Sequence, residues 1–157
     1  MFGGGVNRFI AATVAGLGID SGPFAAAAES RGWRRLHVRP SAAALRGLDQ
    51  AAMHRRTPQG DARVAWKSDS SDAAQLNFVL NVTVPGATTA EVRLPLLQLP
   101  AIVSLAGCDM ACTETGHTVL AEADTACGIH TCEVRRHDNE PHLLLTVGPG
   151  DHTFVRH

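Results

Sequence analysis

Tyrosine is absent from the sequence, and aromatic residues make up only 4% of its 157 residues. So few aromatic rings offer no obvious platform on which sugar rings could stack. Lysine is almost absent as well, with Lys67 alone against 13 arginines, and the formal net charge is −1 at pH 7. A protein that binds nucleic acid or an anionic membrane surface needs a basic face, so neither partner is predicted.

Long hydrophobic runs are also missing. No apolar run approaches the roughly 18–20 residues of a membrane-spanning helix. Hydrophobic residues nevertheless make up 45% of the chain and charged residues 18%, which is typical of a folded protein and not of a disordered one. The length suits one domain that has its own hydrophobic core.

The first thirty residues fit two interpretations. As a secretion signal, Arg8 supplies the positive charge, Phe9–Ile19 the apolar segment, and Ala25–Ala28 the small residues of a cleavage site. As a folded amphipathic helix, the segment repeats its apolar face every three to four residues, and Gly16 and Gly18 end it. That face comprises Val6, Phe9, Ile10, Thr13, Val14 and Leu17.

The rest of the chain alternates between apolar and polar residues, as short strands do. The predicted strands are Arg34–Arg39, Gln50–Arg56, Ala62–Lys67, Leu76–Val84, Thr88–Leu94, Ala101–Leu105, His130–Arg136, His142–Val147 and His152–Val155. The alternation is strongest in Leu76–Val84, whose apolar residues Leu76, Phe78, Leu80, Val82 and Val84 we expect on the buried face. Turns are predicted at Thr57–Gly60 and Gly148–Gly150, and a polar tip at Ser68–Asp72. The pattern predicts a mainly β protein: an antiparallel, jelly-roll-like β-sandwich preceded by one N-terminal amphipathic helix.

Four cysteines lie in one stretch of the sequence, at Cys108, Cys112, Cys127 and Cys132. With the nearby His117, His130 and His137 they could serve as zinc ligands, but their spacing is looser than that of a zinc knuckle. We therefore favour thiols, or one or two disulfides, in a long loop insertion, and predict no metal site.

Catalytic groups are not evident in the sequence. We expect His37, His130 and His152 to point to solvent, and the available carboxylates to lie on solvated surfaces. Those carboxylates are Glu91, Asp109, Glu114, Glu122 and Asp124. The run Gly3–Gly5 lacks the preceding strand and the Lys-Ser/Thr of a phosphate loop, so no cofactor is predicted. Asn81–Thr83 matches a glycosylation sequon, which matters only in a eukaryotic secretory pathway.

A set of motifs in a fixed order resembles a known family. They are Met1–Gly3, Ala15–Leu17, Gly32–Pro40, Trp66-Lys67, Asn81–Pro85, Thr88–Pro95 and Val147–Phe154. This order resembles the C-terminal end of bacterial α-L-rhamnosidases, glycoside hydrolase family 78. The resemblance covers nearly the whole chain apart from Gln98–Thr131, which is longer than the family pattern. The absence of tyrosine and the presence of His152 also depart from it.

The resemblance implies a piece of an enzyme without its catalytic residues. Family members hydrolyse terminal α-L-rhamnosyl groups with inversion, using two carboxyl groups in an (α/α)6 barrel that precedes the matched segment. Residues 1–31 would then be the last barrel helix and a linker, and residues 32–157 the C-terminal β-sandwich. The chain alone is expected to be inactive, and its partner would be a barrel supplied by an upstream segment or by another chain.

The same resemblance favours the helix over the signal peptide, and hence a cytoplasmic protein; if residues 1–28 act as a signal, the protein is secreted. The apolar face of an isolated barrel helix would promote self-association. Two alternatives stay open. One is a stand-alone carbohydrate-binding or structural sandwich, with Trp33 and Trp66 as its candidate stacking residues. The other is a secreted disulfide domain, which the mature N-terminus and a thiol count would identify.

Overall fold

A computed structural model of the chain describes residues 11–19, 33–69, 77–96, 99–105, 108–113, 116–119, 129–137 and 140–157. A π-helical turn covers Ala11–Ala15, and one short α-helix, α1, covers Ala42–Gly47. The strands are β1 (Leu17–Ile19), β2 (Arg35–Val38), β3 (Gln50–Thr57), β4 (Gly60–Asp69), β5 (Asn77–Val84), β6 (Thr89–Pro95), β7 (Ala101–Leu105), β8 (Cys108–Thr113), β9 (Gly116–Val119), β10 (Ile129–His137), β11 (Glu140–Val147) and β12 (Gly150–Arg156).

The strands form two sheets that pack face to face as a β-sandwich, which confirms the predicted fold class. One sheet has the order β1-β2-β6-β11-β10 and the other β3-β4-β5-β12-β7-β8-β9. Neighbouring strands are antiparallel except for β2 and β6, which run parallel. None of the helices in the described segments is long and apolar enough to cross a membrane.

The core between the sheets follows from the predicted alternation. In β5, the side chains of Phe78, Leu80, Val82 and Val84 are all buried, as expected, while Leu76 lies outside the described residues. Strands β4, β6 and β11 contribute the same kind of inward row. Full burial of one aliphatic or aromatic side chain stabilises the fold by roughly 1.5–3 kcal/mol, so these rows supply the main driving force.

Short polar contacts fix the connections between strands. The turn predicted at Thr57–Gly60 is present: the Thr57 hydroxyl donates to the Gly60 carbonyl at 2.7 Å, and Gly60 has φ +122°. Ser41 caps α1 by accepting from the Ala44 amide at 3.0 Å, and Leu45 of α1 is fully buried. The helix was not predicted because six residues make fewer than two turns, too few to show a helical repeat of apolar residues.

Two predicted loops are wrong. The long loop expected around the cysteines contains the hairpin of β8 and β9, whereas the strand predicted at Ala101–Leu105 is present as β7. In β8, cysteine and methionine occupy alternate positions, and they were not counted as strand hydrophobes. The polar tip expected at Ser68–Asp72 is wrong for Ser68 and Asp69, which belong to β4, while 70–72 lie outside the described residues. Ser68 is buried because its amide donates to the Asp49 carbonyl at 2.8 Å and its hydroxyl to the Leu48 carbonyl at 2.7 Å.

The described end of the N-terminal segment packs on the sandwich. Gly16 ends the helical turn as predicted, with φ +82°, but Leu17 does not lie on a helix: it begins β1 and is buried. Gly18 lies in β1, paired with His37, and does not end a helix. The other expected members of the apolar helix face, Val6, Phe9 and Ile10, lie outside the described residues.

Candidate functional site

Charged side chains gather around Glu91 on the outward face of the five-stranded sheet. The parallel pairing of β2 with β6 places His37 directly beside Glu91. Because side chains alternate along a strand, Arg35 and His37 share this face with Arg39, the residue just after β2, and Arg93 shares it with Glu91. We call Arg35, His37, Arg39, Glu91 and Arg93 the Glu91 cluster.

Three guanidinium groups converge on one carboxylate in this cluster. Arg35 Nη2 lies 3.2 Å from Glu91 Oε2, and Arg39 Nη2 and Arg93 Nη2 lie 3.1 Å and 3.5 Å from Oε1. His37 Nδ1 lies 2.9 Å from Arg39 Nη2 and 3.5 Å from Glu91 Oε1. A neutral His37 accepts from Arg39 through this nitrogen, whereas a protonated one donates towards Glu91.

The cluster is more buried than its outward position suggests. Only 13% of the Glu91 side chain and 8% of the His37 side chain are exposed, so the expectation that both face solvent is wrong. The guanidinium groups of Arg35, Arg39 and Arg93 that contact Glu91 help to exclude water from it. The sequence places Arg35, His37 and Arg39 at alternate positions, and Glu91 and Arg93 likewise. This spacing predicts that each set shares one face of its strand, but not that the two sets meet.

The charge balance of the cluster holds Glu91 ionised. Burial alone would raise the pKa of Glu91, but the positive charges of His37, Arg39, Arg93 and Arg35 outweigh it and the pKa lies below the usual 4.5. The pKa of Arg93 is lowered, first by burial and then by repulsion from Arg39. A general acid needs a pKa near the working pH, so Glu91 is poorly suited to protonate a leaving group.

The remaining residues singled out from the sequence lie apart from this cluster. His152 is half-buried, not solvent-facing, because its Nε2 bonds the Gly148 carbonyl at 2.9 Å. Asp109 is exposed, as expected, and accepts from the Ser104 hydroxyl at 2.6 Å. Glu114, Glu122 and Asp124 lie outside the described residues, and the side chain of His130 is not described.

A groove lined by both polar and apolar side chains lies along the seven-stranded sheet. Its larger part has a volume of about 930 Å³ and includes Asp49, Asp69 and Lys67 among its lining residues. A second part of about 400 Å³ shares Lys67 and Asn81 with it and includes Ala65. The Asn81 carboxamide oxygen accepts from the Thr153 hydroxyl at 2.8 Å, which fixes the side chain at the shared point.

Neither tryptophan presents two open ring faces. Trp66 is 2% exposed, and its indole N–H donates to the Val14 carbonyl, so it belongs to the core and offers no ring face for stacking. Trp33 is half-buried in a left-handed conformation, with φ +63°, and the Arg55 guanidinium carbon lies 4.6 Å from the centre of its ring. A sugar could stack on Trp33 only from one side or by displacing Arg55.

Two of the four cysteines are described in full, and both are thiols. Cys112 is buried and Cys132 half-buried. Burial raises the pKa of Cys112 to about 11, with a further contribution from Cys132, and burial also raises the pKa of Cys132. Cys127 lies outside the described residues, and the side chain of Cys108 is not described. Among the residues described, no group of three or more histidine, cysteine, aspartate or glutamate side chains could hold a metal ion.

Sequence comparison identifies the family of this sandwich. The family model described as "Bacterial alpha-L-rhamnosidase C-terminal domain" matches residues 18–106, more than half of the chain. The chain therefore belongs to the bacterial α-L-rhamnosidase C-terminal domain family. None of the curated proteins compared with it gives a significant match.

Solved structures show the same fold. The α-L-rhamnosidase from Dictyoglumus thermophilum superposes with a TM-score of 0.61 at 16% identity over 96% of this chain. The α-L-rhamnosidase from Streptomyces avermitilis, solved in complex with L-rhamnose, gives 0.58 at 21% identity over the same share. The chain spans only 13% and 10% of the lengths of these two proteins.

Proposed function

We propose that this chain is the non-catalytic C-terminal β-sandwich of an α-L-rhamnosidase-like glycoside hydrolase. The observation that carries the proposal is the family match over residues 18–106, on a chain whose described residues form a sandwich. The parent reaction is the hydrolysis of terminal α-L-rhamnosyl residues with inversion. That reaction needs one carboxylic acid to protonate the leaving oxygen and one carboxylate to activate water. Both groups come from the barrel and not from this chain.

The chemistry of the Glu91 cluster supports a non-catalytic role. An inverting pair needs one carboxyl group with a raised pKa, whereas the pKa of Glu91 is lowered and its oxygens are engaged by three arginines. Such a cluster holds β2 and β6 together and presents positive charge on the surface. It is suited to holding a sheet together or to contacting another domain, not to proton transfer.

The catalytic barrel is the proposed partner, supplied by an upstream segment or by another chain. In this proposal residues 1–31 connect the barrel to the sandwich, and Leu17–Ile19 within them already pair into the five-stranded sheet as β1. The contact of the helical turn Ala11–Ala15 with β3 and β4 supports a fixed connection, because it would transmit the position of the helix to the sandwich. The role of the chain is then to complete and stabilise the enzyme.

Hydrolysis of 4-nitrophenyl α-L-rhamnopyranoside tests the proposal. We expect no hydrolysis by the isolated chain. The DNA upstream of Met1, read in all frames, should encode a barrel with an acidic pair. Adding that polypeptide to this chain should give a co-purifying complex that releases nitrophenol. Hydrolysis by the chain alone, or unrelated upstream sequence together with no complex, would overturn the proposal.

The groove on the seven-stranded sheet favours a second candidate, a carbohydrate-binding module. Lys67, Asn81 and Asp69 offer hydrogen-bonding groups along an open surface, as a neutral polar ligand requires. Calorimetric titration with L-rhamnose and rhamnose-containing oligosaccharides would test it. Loss of binding in Asn81→Ala would support binding in the groove, whereas loss only in Trp33→Ala would place the ligand at the tryptophan instead.

A further inference from the structure

Two thiols lie on the inward faces of the two sheets, one on each sheet. Cys112 lies in β8 of the seven-stranded sheet, opposite the buried Ala101 of β7, and is fully buried. Cys132 lies in β10 of the five-stranded sheet, opposite the fully buried Leu145 of β11, and packs against the same core. Residues directly opposite each other on paired strands share a face, so both cysteines lie on the inward faces of their sheets.

The two sheets approach each other at this end of the sandwich. β10 is the edge strand of its sheet, β9 is the edge strand of the other, and β8 lies next to β9. Cα atoms of β9 and β10 come within 8 Å of one another. Stacked sheets are usually about 10 Å apart, too far for a disulfide, whose Cα atoms are typically ~4.4–6.8 Å apart. The converging edge is therefore where a bond between the sheets is feasible, and the electrostatic effect of Cys132 on Cys112 indicates that the thiols are neighbours.

We propose that Cys112 and Cys132 are a disulfide-forming pair that links the two sheets covalently when a low-molecular-weight disulfide is present. Because the bond would join the edge of one sheet to a near-edge strand of the other, it would resist separation of the sheets at this end. The pair is thus a site of oxidative modification, distinct from the Glu91 cluster and from the groove.

The reaction proceeds by two exchanges with oxidised glutathione. Cys132, the more exposed thiol, loses its proton to solvent, and its thiolate attacks one glutathione sulfur. The S–S bond of glutathione breaks, one glutathione thiolate leaves, and a mixed disulfide forms on Cys132. Cys112 then loses its proton and attacks the Cys132 sulfur, which expels the second glutathione thiolate. The protein dithiol loses two electrons and two protons, and one oxidised glutathione becomes two reduced molecules.

The pH dependence of this exchange follows from burial. The raised pKa values of both thiols leave little thiolate at pH 7, so bond formation should be slow there and accelerate as the pH rises towards 9. A rate that shows no increase with pH would contradict attack by these two thiols.

The test uses the full chain, reduced and then incubated with oxidised glutathione at pH 8.5. After acid quenching, alkylation and proteolysis, mass spectrometry without reductant should show a peptide pair linked through Cys112 and Cys132. The linked pair should persist in Cys108→Ser and Cys127→Ser, which serve as matched controls. It should vanish in Cys132→Ser and in Cys112→Ala, an apolar substitution chosen because serine would place a hydroxyl in the core.

Three further measurements distinguish an internal disulfide from glutathione adducts and from misfolded variants. Cys112→Ala should stop at a glutathione adduct on Cys132, and circular dichroism should confirm that each variant is folded. The oxidised wild-type chain should unfold at a higher denaturant concentration than the reduced chain. A wild-type chain that gives only glutathione adducts, or that links Cys112 or Cys132 to another cysteine instead of to each other, would overturn the proposal.

Discussion

The indole N–H of Trp66 donates a hydrogen bond to the backbone carbonyl of Val14 at 3.1 Å. Trp66 lies in β4 of the seven-stranded sheet, and Val14 belongs to the helical turn that leads through Gly16 into β1 of the other sheet. This single contact therefore ties the N-terminal segment to one sheet while β1 ties it to the other. The N-terminal segment is thus attached to both sheets of the sandwich.

Replacing Trp66 by Phe should weaken this anchor. The Val14 carbonyl would lose its partner, and a buried acceptor left without one costs about 1–3 kcal/mol, to which the smaller ring adds lost packing. We expect the free energy of unfolding in urea to fall by roughly 2–4 kcal/mol by the sum of these effects. Trp33→Phe, the same substitution at a half-buried ring, is the control and should cost less. Equal stability of Trp66→Phe and the wild type would show that the contact contributes nothing.

Gly16→Ala should be among the most destabilising single changes in the described part of the chain. Gly16 has φ +82°, and a Cβ added there would lie 2.4 Å from the Arg39 carbonyl carbon and from Pro40 N, both backbone atoms that cannot turn aside. The Arg39 amide donates to the Gly16 carbonyl at 2.7 Å, so the two segments cannot separate without losing that bond. The left-handed conformation alone costs alanine about 1–2 kcal/mol, and the clash adds to it.

Gly18→Ala provides the matched control two residues away. Apart from Gly18 itself and its two chain neighbours, nothing in the described residues lies within 4 Å of a Cβ added at Gly18. Thermal unfolding followed by circular dichroism should therefore show a large decrease in midpoint for Gly16→Ala and a small change for Gly18→Ala. Similar midpoints for the two variants would mean that the close approach to Arg39 and Pro40 is relaxed at little cost.

The alternation of apolar residues was sufficient to predict most strands because each sheet has one face in the core. Ala101–Leu105 was predicted with its observed bounds, and the inward row of β5 was predicted residue by residue for Phe78 to Val84. The hairpin of β8 and β9 was missed because cysteine and methionine occupy alternate positions in β8: the cysteines were considered for their chemistry, and the methionine was not counted as a strand hydrophobe. β1 was missed because three residues are too few for alternation to be visible.

The Glu91 cluster could not be predicted because it depends on strand pairing. Glu91 lies 56 residues after Arg35 in the chain, and only the parallel register of β2 and β6 brings them together. The sequence shows which residues share a face of one strand, but not which strand lies beside it. The distance between Cys112 and Cys132 depends in the same way on how the two sheets close.

Self-association remains a prediction from the apolar N-terminal stripe. Starting the chain at Arg31 would test it poorly, because that truncation also removes β1, leaves the edge of β2 unpaired and takes the buried Leu17 out of the core. Phe9→Ser combined with Ile10→Ser changes two residues of the stripe and keeps β1 in the chain. Size-exclusion chromatography with light scattering should show oligomers for the wild-type chain and a monomer for the double variant. A wild-type chain that elutes as a monomer at all concentrations would contradict the prediction.

Glu91→Gln should lower stability at neutral pH and leave it little changed in acid. The pKa of Glu91 is lowered in the folded state, so the folded state favours the ionised form, and the resulting stability is present above the unfolded pKa near 4.5. It is lost as the pH falls from 4.5 through the lower folded value, where the wild-type carboxyl also becomes neutral. At pH 7 the variant leaves three arginines around a neutral amide, and we expect a loss of about 1.5–3 kcal/mol.

Urea unfolding of the wild type and Glu91→Gln at several pH values between 7 and 3 tests the predicted direction of this pH dependence. The difference between wild type and Glu91→Gln should be largest at pH 6–7 and should shrink below pH 4.5. Glu140→Gln is the control: the Glu140 side chain is 39% exposed and has Arg46 at 3.7 Å, so solvent screens the pair and its removal should matter less. A Glu91→Gln difference that stayed constant down to pH 3 would mean that the carboxylate charge is not what stabilises the pairing of β2 with β6.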